Sequence, residues 1–287
     1  MEVVRPPDAS AFLELARPLL EAAEARNNLI LGIAGTMVTD PQRFPRHYLW
    51  VVLDGDRPLA AALRTEPANL IIADPARTDV LEHLLPAVEK DDPEAPGLMA
   101  NAPFAERAAE IWTSLTGARV ETRFAEGLHE LTSVADVPVS SGRARPATER
   151  DEEVLIRWIR AFWKEALPHQ PLDPARDRWI VESRLTANDA GFWLWVSEGA
   201  PVSMAYFGDP TPNGVRISGV YTPPEHRRRG YATALVAELS RWLLRRGKRS
   251  CFLYTDLSNP TSNAIYSRIG YRKVADAFEI RFSEPSP

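Results

Sequence analysis

Leu49-Trp50-Val51 followed by Gly55 and Pro58 returns in the second half of the chain as Leu194-Trp195-Val196 followed by Gly199 and Pro201. Likewise Ile111-Trp112 with Gly117 returns as Ile265-Tyr266 with Gly270. Around these anchors the strand and helix signals follow one another in the same order in both halves. That shared order predicts two copies of a single α/β unit. At 287 residues the chain gives each copy enough length to bury its own core.

Phe12, Leu15, Ala16, Leu19, Leu20 and Ala23 keep helical spacing behind Asp8 and Ser10, either of which can cap a helix. A second helix is expected over Leu29 to Met37. At Tyr48 the period changes: Tyr48–Leu53 and Leu59–Arg64 read as strands around the Asp54-Gly55 turn, and Asn69–Ala73 as a third strand. A helix over Arg77–Glu89, a short strand Gly97–Ala100, a helix Pro103–Leu115 and strand pieces Arg119–Phe124 and Gly127–Thr132 complete the first copy. Val134–Gly142 is polar, contains proline and lacks periodicity, so it is expected to be a linker. The boundaries are therefore 1–133, 134–142 and 143–287.

The second copy opens with a short strand, Arg143–Pro146, and a helix from Asp151. Prolines in Pro168–Pro174 stop that helix, and a second one follows over about Ala175 to Leu185. Strands Phe192–Ser197 and Val202–Phe207 flank the Glu198-Gly199 turn. The apolar run Val215–Tyr221 then stops at Pro223-Pro224, and a basic turn leads through Gly230 into an amphipathic helix with Leu235, Val236, Leu239, Trp242 and Leu243 on one face. Such a turn suits anion binding. The first N–H groups of a helix lack intrahelical partners and carry partial positive charge, Gly230 lets the chain turn tightly, and Arg227, Arg228 and Arg229 can add charge-assisted bonds to phosphate.

The pattern Arg227-x-x-Gly230-x-Ala232 resembles the Arg/Gln-x-x-Gly-x-Gly/Ala signature of the GCN5-related N-acetyltransferase (GNAT) family. The order downstream also resembles it: strand Cys251–Thr255, then Asn259, then a helix carrying Tyr266, then Gly270-Tyr271. The resemblance is strong over roughly Gly142–Phe282 and weaker before it. It implies an α/β (α+β) fold of two GNAT-like domains, each a mixed, mostly antiparallel twisted sheet flanked by helices. The first copy is expected to be degenerate, because Ala73-Asp74-Pro75-Ala76-Arg77 replaces the glycine and arginine turn and Trp112 stands where the second copy has Tyr266.

The resemblance implies acetyl transfer from acetyl-CoA to an amine, with a small molecule expected as acceptor, by direct attack in a ternary complex. Val220, Tyr221 and Thr222 are then expected to pair with the pantetheine arm through their backbone. Arg227, Arg228, Arg229, Gly230, Tyr231, Ala232 and Thr233 would hold the pyrophosphate, and Asn259 would contact the donor. Tyr266 is assigned as the acid that protonates the departing thiolate. The base stays open among Glu165, Asp209, Glu225 and a chain of water molecules, and His169 is a weaker candidate for acceptor contact. Two alternatives stay open: a different acyl donor or acceptor, such as a cysteinyl amine of the kind used by tandem mycothiol synthases, or a non-catalytic acyl-CoA-binding regulatory module.

Composition narrows the remaining classes. A net charge of −5 argues against general nucleic-acid binding. No run of apolar residues reaches membrane-spanning length and Met1–Ser10 lacks signal-peptide character, so a cytoplasmic location is expected. The single cysteine, Cys251, precludes an internal disulfide and reads as a core residue. The five histidines show no metal-ligand spacing, so no metal is expected. Trp158, Trp163, Trp193 and Trp195 read mainly as core. Oligomeric state is not legible.

Overall fold

The computed structural model describes residues 1–138, 140–166 and 172–283. The chain forms two compact units, Met1–Leu128 with Lys273–Pro287, and His129–Arg272. In order, the first half contributes β1 (Glu2–Val4), α1 (Ala9–Ala22), α2 (Asn28–Thr39), β2 (His47–Asp54), β3 (Arg57–Thr65), β4 (Leu70–Ile72), α3 (Leu81–Asp91), β5 (Gly97–Asn101), α4 (Phe104–Thr116) and β6 (Arg119–Leu131). The second half contributes β7 (Arg143–Pro146), α5 (Glu152–Ala166), α6 (Pro174–Thr186), β8 (Gly191–Ser197), β9 (Ala200–Gly208), β10 (Gly214–Tyr221), α7 (Tyr231–Arg245), β11 (Ser250–Asp256), α8 (Pro260–Ile269) and β12 (Arg272–Ser283).

The same strand order occurs in both units, β1-β2-β3-β4-β5 in the first and β11-β10-β9-β8-β7 read backwards in the second. Neighbours are antiparallel except for one parallel pair in each, β4 with β5 and β10 with β11. This is the mixed, mostly antiparallel sheet flanked by helices that the sequence led us to expect. β8 and β9 are joined tightly because Glu198 and Gly199 both take positive φ, 52° and 81°, the twist that a two-residue hairpin requires.

Helix ends follow local chemistry. Asp173 accepts from the N–H groups of Ala175 and Arg176 at 3.0 and 3.1 Å, with Pro174 in the first helical position, so α6 starts there. α7 buries Ala234, Leu235, Val236, Leu239 and Leu243 against the β8–β11 sheet. Each fully buried leucine or valine there contributes about 1.5–3 kcal/mol. Those residues recur at helical spacing, as the amphipathic pattern predicts.

Two features depart from the sequence reading. β12 pairs antiparallel with β5 from Ala277↔Asn101 to Arg281↔Gly97, so the last strand of the chain belongs to the first unit. Of the segment 134–142, expected as a linker, the described residues 134–138 and 140–142 belong to the second unit. Ala135 N–H donates to the Ile269 carbonyl and Trp195 Nε1–H to the Ser141 carbonyl, both at 2.9 Å. Pairing between segments so far apart in the chain leaves no local signature. A smaller difference is that β6 is one continuous strand rather than two pieces.

Candidate functional site

β10 and β11 pair in parallel only through Gly214↔Ser250, Val215↔Cys251 and Arg216↔Phe252, although β10 continues to Tyr221 and β11 to Asp256. On its other side β10 loses register with β9 after Ser218 and resumes it at Tyr221↔Met204, passing over Gly219 and Val220. Gly219 sits at φ +59°, and a Cβ there would fall 2.2 Å from the Tyr206 ring, so only glycine fits. The bulge bends β10 away from β11 and opens a cleft at the carboxyl ends of the parallel pair, the place where such sheets receive ligands.

A cavity of about 940 Å³ occupies that cleft. The structure brings Val220, Tyr221, Thr222, Arg227, Arg228, Gly230, Tyr231, Ala232, Thr233, Asn259 and Tyr266 to its wall. Arg229 is not among the lining residues; its carbonyl accepts from Ser140 Oγ at 2.9 Å. At the base of the cavity, α7 begins on Gly230 at φ +77°, and its first intrahelical bond is Ala234 N–H to the Gly230 carbonyl at 3.0 Å. Tyr231, Ala232 and Thr233 thus present N–H groups without a partner inside the helix. A Cβ on Gly230 would lie 2.7 Å from Ser140 Oγ, and Arg228 also takes a left-handed φ of 62°. The main chain is folded closely enough here for an anion to approach the helix N-terminus directly.

Charge at the cavity wall is arranged by Arg227. Its NH2 group donates to both oxygens of Glu165 at 2.9 and 2.7 Å, its Nε–H donates to the Thr222 carbonyl at 2.8 Å, and its guanidinium lies 5.8 Å from the Tyr221 ring centre. Glu165, with Phe162 and Ala166 from the end of α5, lines the same cavity. The other carboxylates weighed as bases lie elsewhere. Asp209 is a nearly buried partner of Arg216 and Arg184, and Glu225, on the short turn before Arg227, does not line the cavity. His169 lies outside the described residues.

Tyr266 reaches the cavity from α8 while its ring is only 8% exposed and packs edge-on against Tyr271, with centroids 5.9 Å apart. Burial pushes the Tyr266 hydroxyl well above the usual tyrosine range, so the phenol stays protonated at neutral pH. Asn259 caps α8, its Oδ1 accepting from Ser262 N–H at 3.1 Å. Cys251 is fully buried and its thiol is pushed up to about 12 by desolvation, which makes it core rather than nucleophile. Among the described residues, no group of three or more His, Cys, Asp or Glu side chains can hold a metal ion. No helix there is long and apolar enough to cross a membrane.

Sequence reasoning gave no site role to Phe162, Ala166, His226, Ile265 or Arg268, all of which line the cavity. Arg268 had a signal, being two residues beyond Tyr266 on the same helix. Phe162 and Ala166 had none, because α5 meets the turn after β10 only in three dimensions.

The corresponding cleft of the first unit is differently filled. β4 and β5 are parallel at Leu70↔Leu98 and Ile71↔Met99. Beyond β4, Asp74 pairs with the Arg26 guanidinium, accepts from Asn101 Nδ2 at 2.8 Å and donates its backbone N–H to Asn27 Oδ1 at 2.9 Å. Arg26 also donates to the carbonyls of Ala102 and Val274 at 3.2 and 3.1 Å. Trp112, at the position matching Tyr266, is buried and stacked 6.0 Å from Phe282.

The chain adopts the GNAT fold along its whole length. It superposes on a Drosophila protein with a TM-score of 0.72 at 16% identity, covering 99% of each chain. A GCN5-related N-acetyltransferase from Sphaerobacter thermophilus matches with a TM-score of 0.64 at 19% identity, over 99% of this chain and 96% of that one. A tandem GNAT protein from the clavulanic acid biosynthesis pathway matches with a TM-score of 0.61 at 16% identity, over 100% and 99%. Residues 153–271 match the Acetyltransferase (GNAT) family, so the second unit carries a GNAT domain. A search of curated proteins by sequence finds no match.

Proposed function

We propose that the second unit transfers an acetyl group from acetyl-CoA to an amine, with a small molecule as acceptor, by direct attack in a ternary complex. The observation that carries this reading is the convergence on one cavity of the unpartnered N–H groups of α7, Arg227 and Arg228, the bulged backbone at Val220, and the buried phenol of Tyr266. The three N–H groups, with Arg227 and Arg228 beside them, bind the pyrophosphate, and Arg229, outside the cavity wall, adds only its charge at longer range. Val220, Tyr221 and Thr222 pair with the pantetheine arm as an added strand would.

Acetyl-CoA supplies the acyl group as an activated thioester. Val220 N–H donates to the thioester carbonyl and favours charge developing on its oxygen. Tyr266 keeps its proton at neutral pH and gives it to the departing thiolate, while Asn259 contacts the donor beside it. Glu165 is the one carboxylate among the three weighed as bases that stands at the cavity, and it receives the proton of the attacking ammonium directly or through water.

We read the first unit as a degenerate copy whose donor site has been lost. Asp74, Arg26 and Asn101 bond one another at the place where the second copy keeps its open turn, and Trp112 cannot act as an acid near neutral pH.

The test is thiol release from acetyl-CoA across a panel of amines, comparing the protein with Tyr266→Phe. Turnover with one amine class, sharply reduced in the variant at unchanged coenzyme affinity, is the expected result. Coenzyme binding without turnover on any amine or protein substrate would instead make the site a binding module.

A further inference from the structure

On the face of the β9–β10 hairpin covered by α5 and α6, two guanidinium groups share one carboxylate. Arg216 NH2 lies 2.7 Å and Arg184 NH2 3.6 Å from Asp209 Oδ2, and the three side chains are only 12%, 8% and 12% exposed, respectively for Arg216, Arg184 and Asp209. Among the described residues, Arg184 and Arg216 have no other carboxylate within 4 Å, so the group carries an excess positive charge. Arg184 Nε and NH1 and Arg216 NH1 are buried with no acceptor. Buried donors are nearly always satisfied, and an unpaired charged donor is among the more expensive features a fold can carry. Such a feature is retained where something else supplies the acceptor.

The surroundings indicate what that is. The Arg184 guanidinium lies 4.6 Å from the Tyr206 ring centre, and Tyr206 is in turn held against Phe192 at 5.2 Å, so the guanidinium plane is fixed rather than free. The Tyr206 ring also abuts Gly219, the bulge residue immediately before Val220 and Tyr221 at the cavity wall. Val215 and Ile217 point to the opposite face, where α7 covers them, whereas Tyr206 and Tyr221 lie on the face that α5 and α6 cover. Fixed guanidinium forks select planar oxyanions.

We propose that Arg184 and Arg216 form an oxyanion-binding subsite for the acceptor, and that the acceptor is therefore an amine bearing a carboxylate. This rests on the acetyl-transfer reading for the identity of the ligand as acceptor, but the anion site itself is tested without turnover.

The experiment follows the Arg184 and Arg216 Nε–H signals in ¹H–¹⁵N spectra of the CoA-saturated protein, assigned through Arg184→Lys and Arg216→Lys. The probes are glycine, β-alanine and γ-aminobutyrate, against ethylamine and propylamine, with inorganic phosphate as a further arm. Saturable shifts with an amino acid, and none with the alkylamines, are expected. Shifts with phosphate alone identify an inorganic-anion site and overturn the acceptor assignment, and no shift with any probe overturns the site altogether. In turnover, Arg184→Met, which retains a side chain to pack on Tyr206, should raise KM for the amino acid by about tenfold or more while leaving KM for an alkylamine unchanged. Arg216→Met provides the same comparison if Arg184→Met does not fold. Failure of acetyl transfer with every amine would leave the spectroscopic result to decide the site.

Discussion

Arg227 donates to both carboxylate oxygens of Glu165, at 2.9 and 2.7 Å, from the wall of the cavity in which we place the donor pyrophosphate. Glu165 therefore competes with the donor for that guanidinium. Removing its charge in Glu165→Gln should tighten coenzyme binding, while slowing acetyl transfer if Glu165 also takes the acceptor proton. Both side chains are about half exposed, which limits the gain to about two- to fivefold in Kd. Calorimetric titration with CoA reads it, and the effect should vanish in an Arg227→Gln background. Unchanged affinity in the single variant would show that the pair does not oppose the donor.

Tyr266 is kept protonated by burial, and this sets the alkaline side of the pH profile. A proton donor with an ordinary tyrosine pKa loses activity near pH 10, whereas one displaced upward keeps it beyond that point. The rate should therefore show no fall near pH 10 that disappears in Tyr266→Phe. That variant should lower kcat by about 10²–10⁴-fold, the usual contribution of a positioned acid, with CoA affinity unchanged. A variant that weakens binding and spares kcat would assign Tyr266 to packing.

Gly230 opens α7 at φ +77° with Ser140 Oγ in the space a Cβ would take. Gly230→Ala is expected to lower stability by about 1–2 kcal/mol, the cost of the left-handed conformation for an L-residue. It should also weaken CoA binding, since the N–H groups to which we assign the pyrophosphate move with it. Thermal melts and CoA titration of the same sample check both effects, and Gly230→Ala with wild-type values in both would remove the glycine from the site.

Asp151 is held below the usual carboxylate range, first by its two bonds from Arg145 at 2.7 Å and then by Thr148, against an opposing effect of burial. A lowered folded-state pKa means that the stabilisation is present above the unfolded value of about 3.9 and is lost as pH falls through the folded value. Asp151→Asn should therefore destabilise the second unit by about 1–2 kcal/mol at pH 7. The difference from wild type should shrink in acid denaturation below about pH 4. A difference independent of pH would point to the lost hydrogen bonds with Thr148 rather than the charge.

Much of this site was legible because its ingredients are local. The prolines at 223 and 224 end β10, Gly230 permits the turn, and the apolar spacing from Leu235 builds α7, all within one continuous stretch. Asn259 could be placed just before a short helix and Tyr266 on it for the same reason. The state of Arg227 was not legible, because its partner lies in α5, far away in the chain. Asp209 shows the converse: as a sequence feature it was a candidate base, and only the approach of Arg184 from α6 and Arg216 from β10 makes it half of a buried ion pair.

The sequence by itself determined the repeated order of strands and helices, the tight glycine-and-arginine turn before α7 and the place of Cys251 in the core, because each depends on periodicity, turn residues or composition within a short window. Tertiary structure alone decided that the last strand completes the first unit, that Asp74 and Arg26 bond one another in the first cleft, and that two arginines share Asp209. Those outcomes depend on which backbone edges and charged groups meet across long loops, where the free energy of pairing acts between partners that no local pattern brings together.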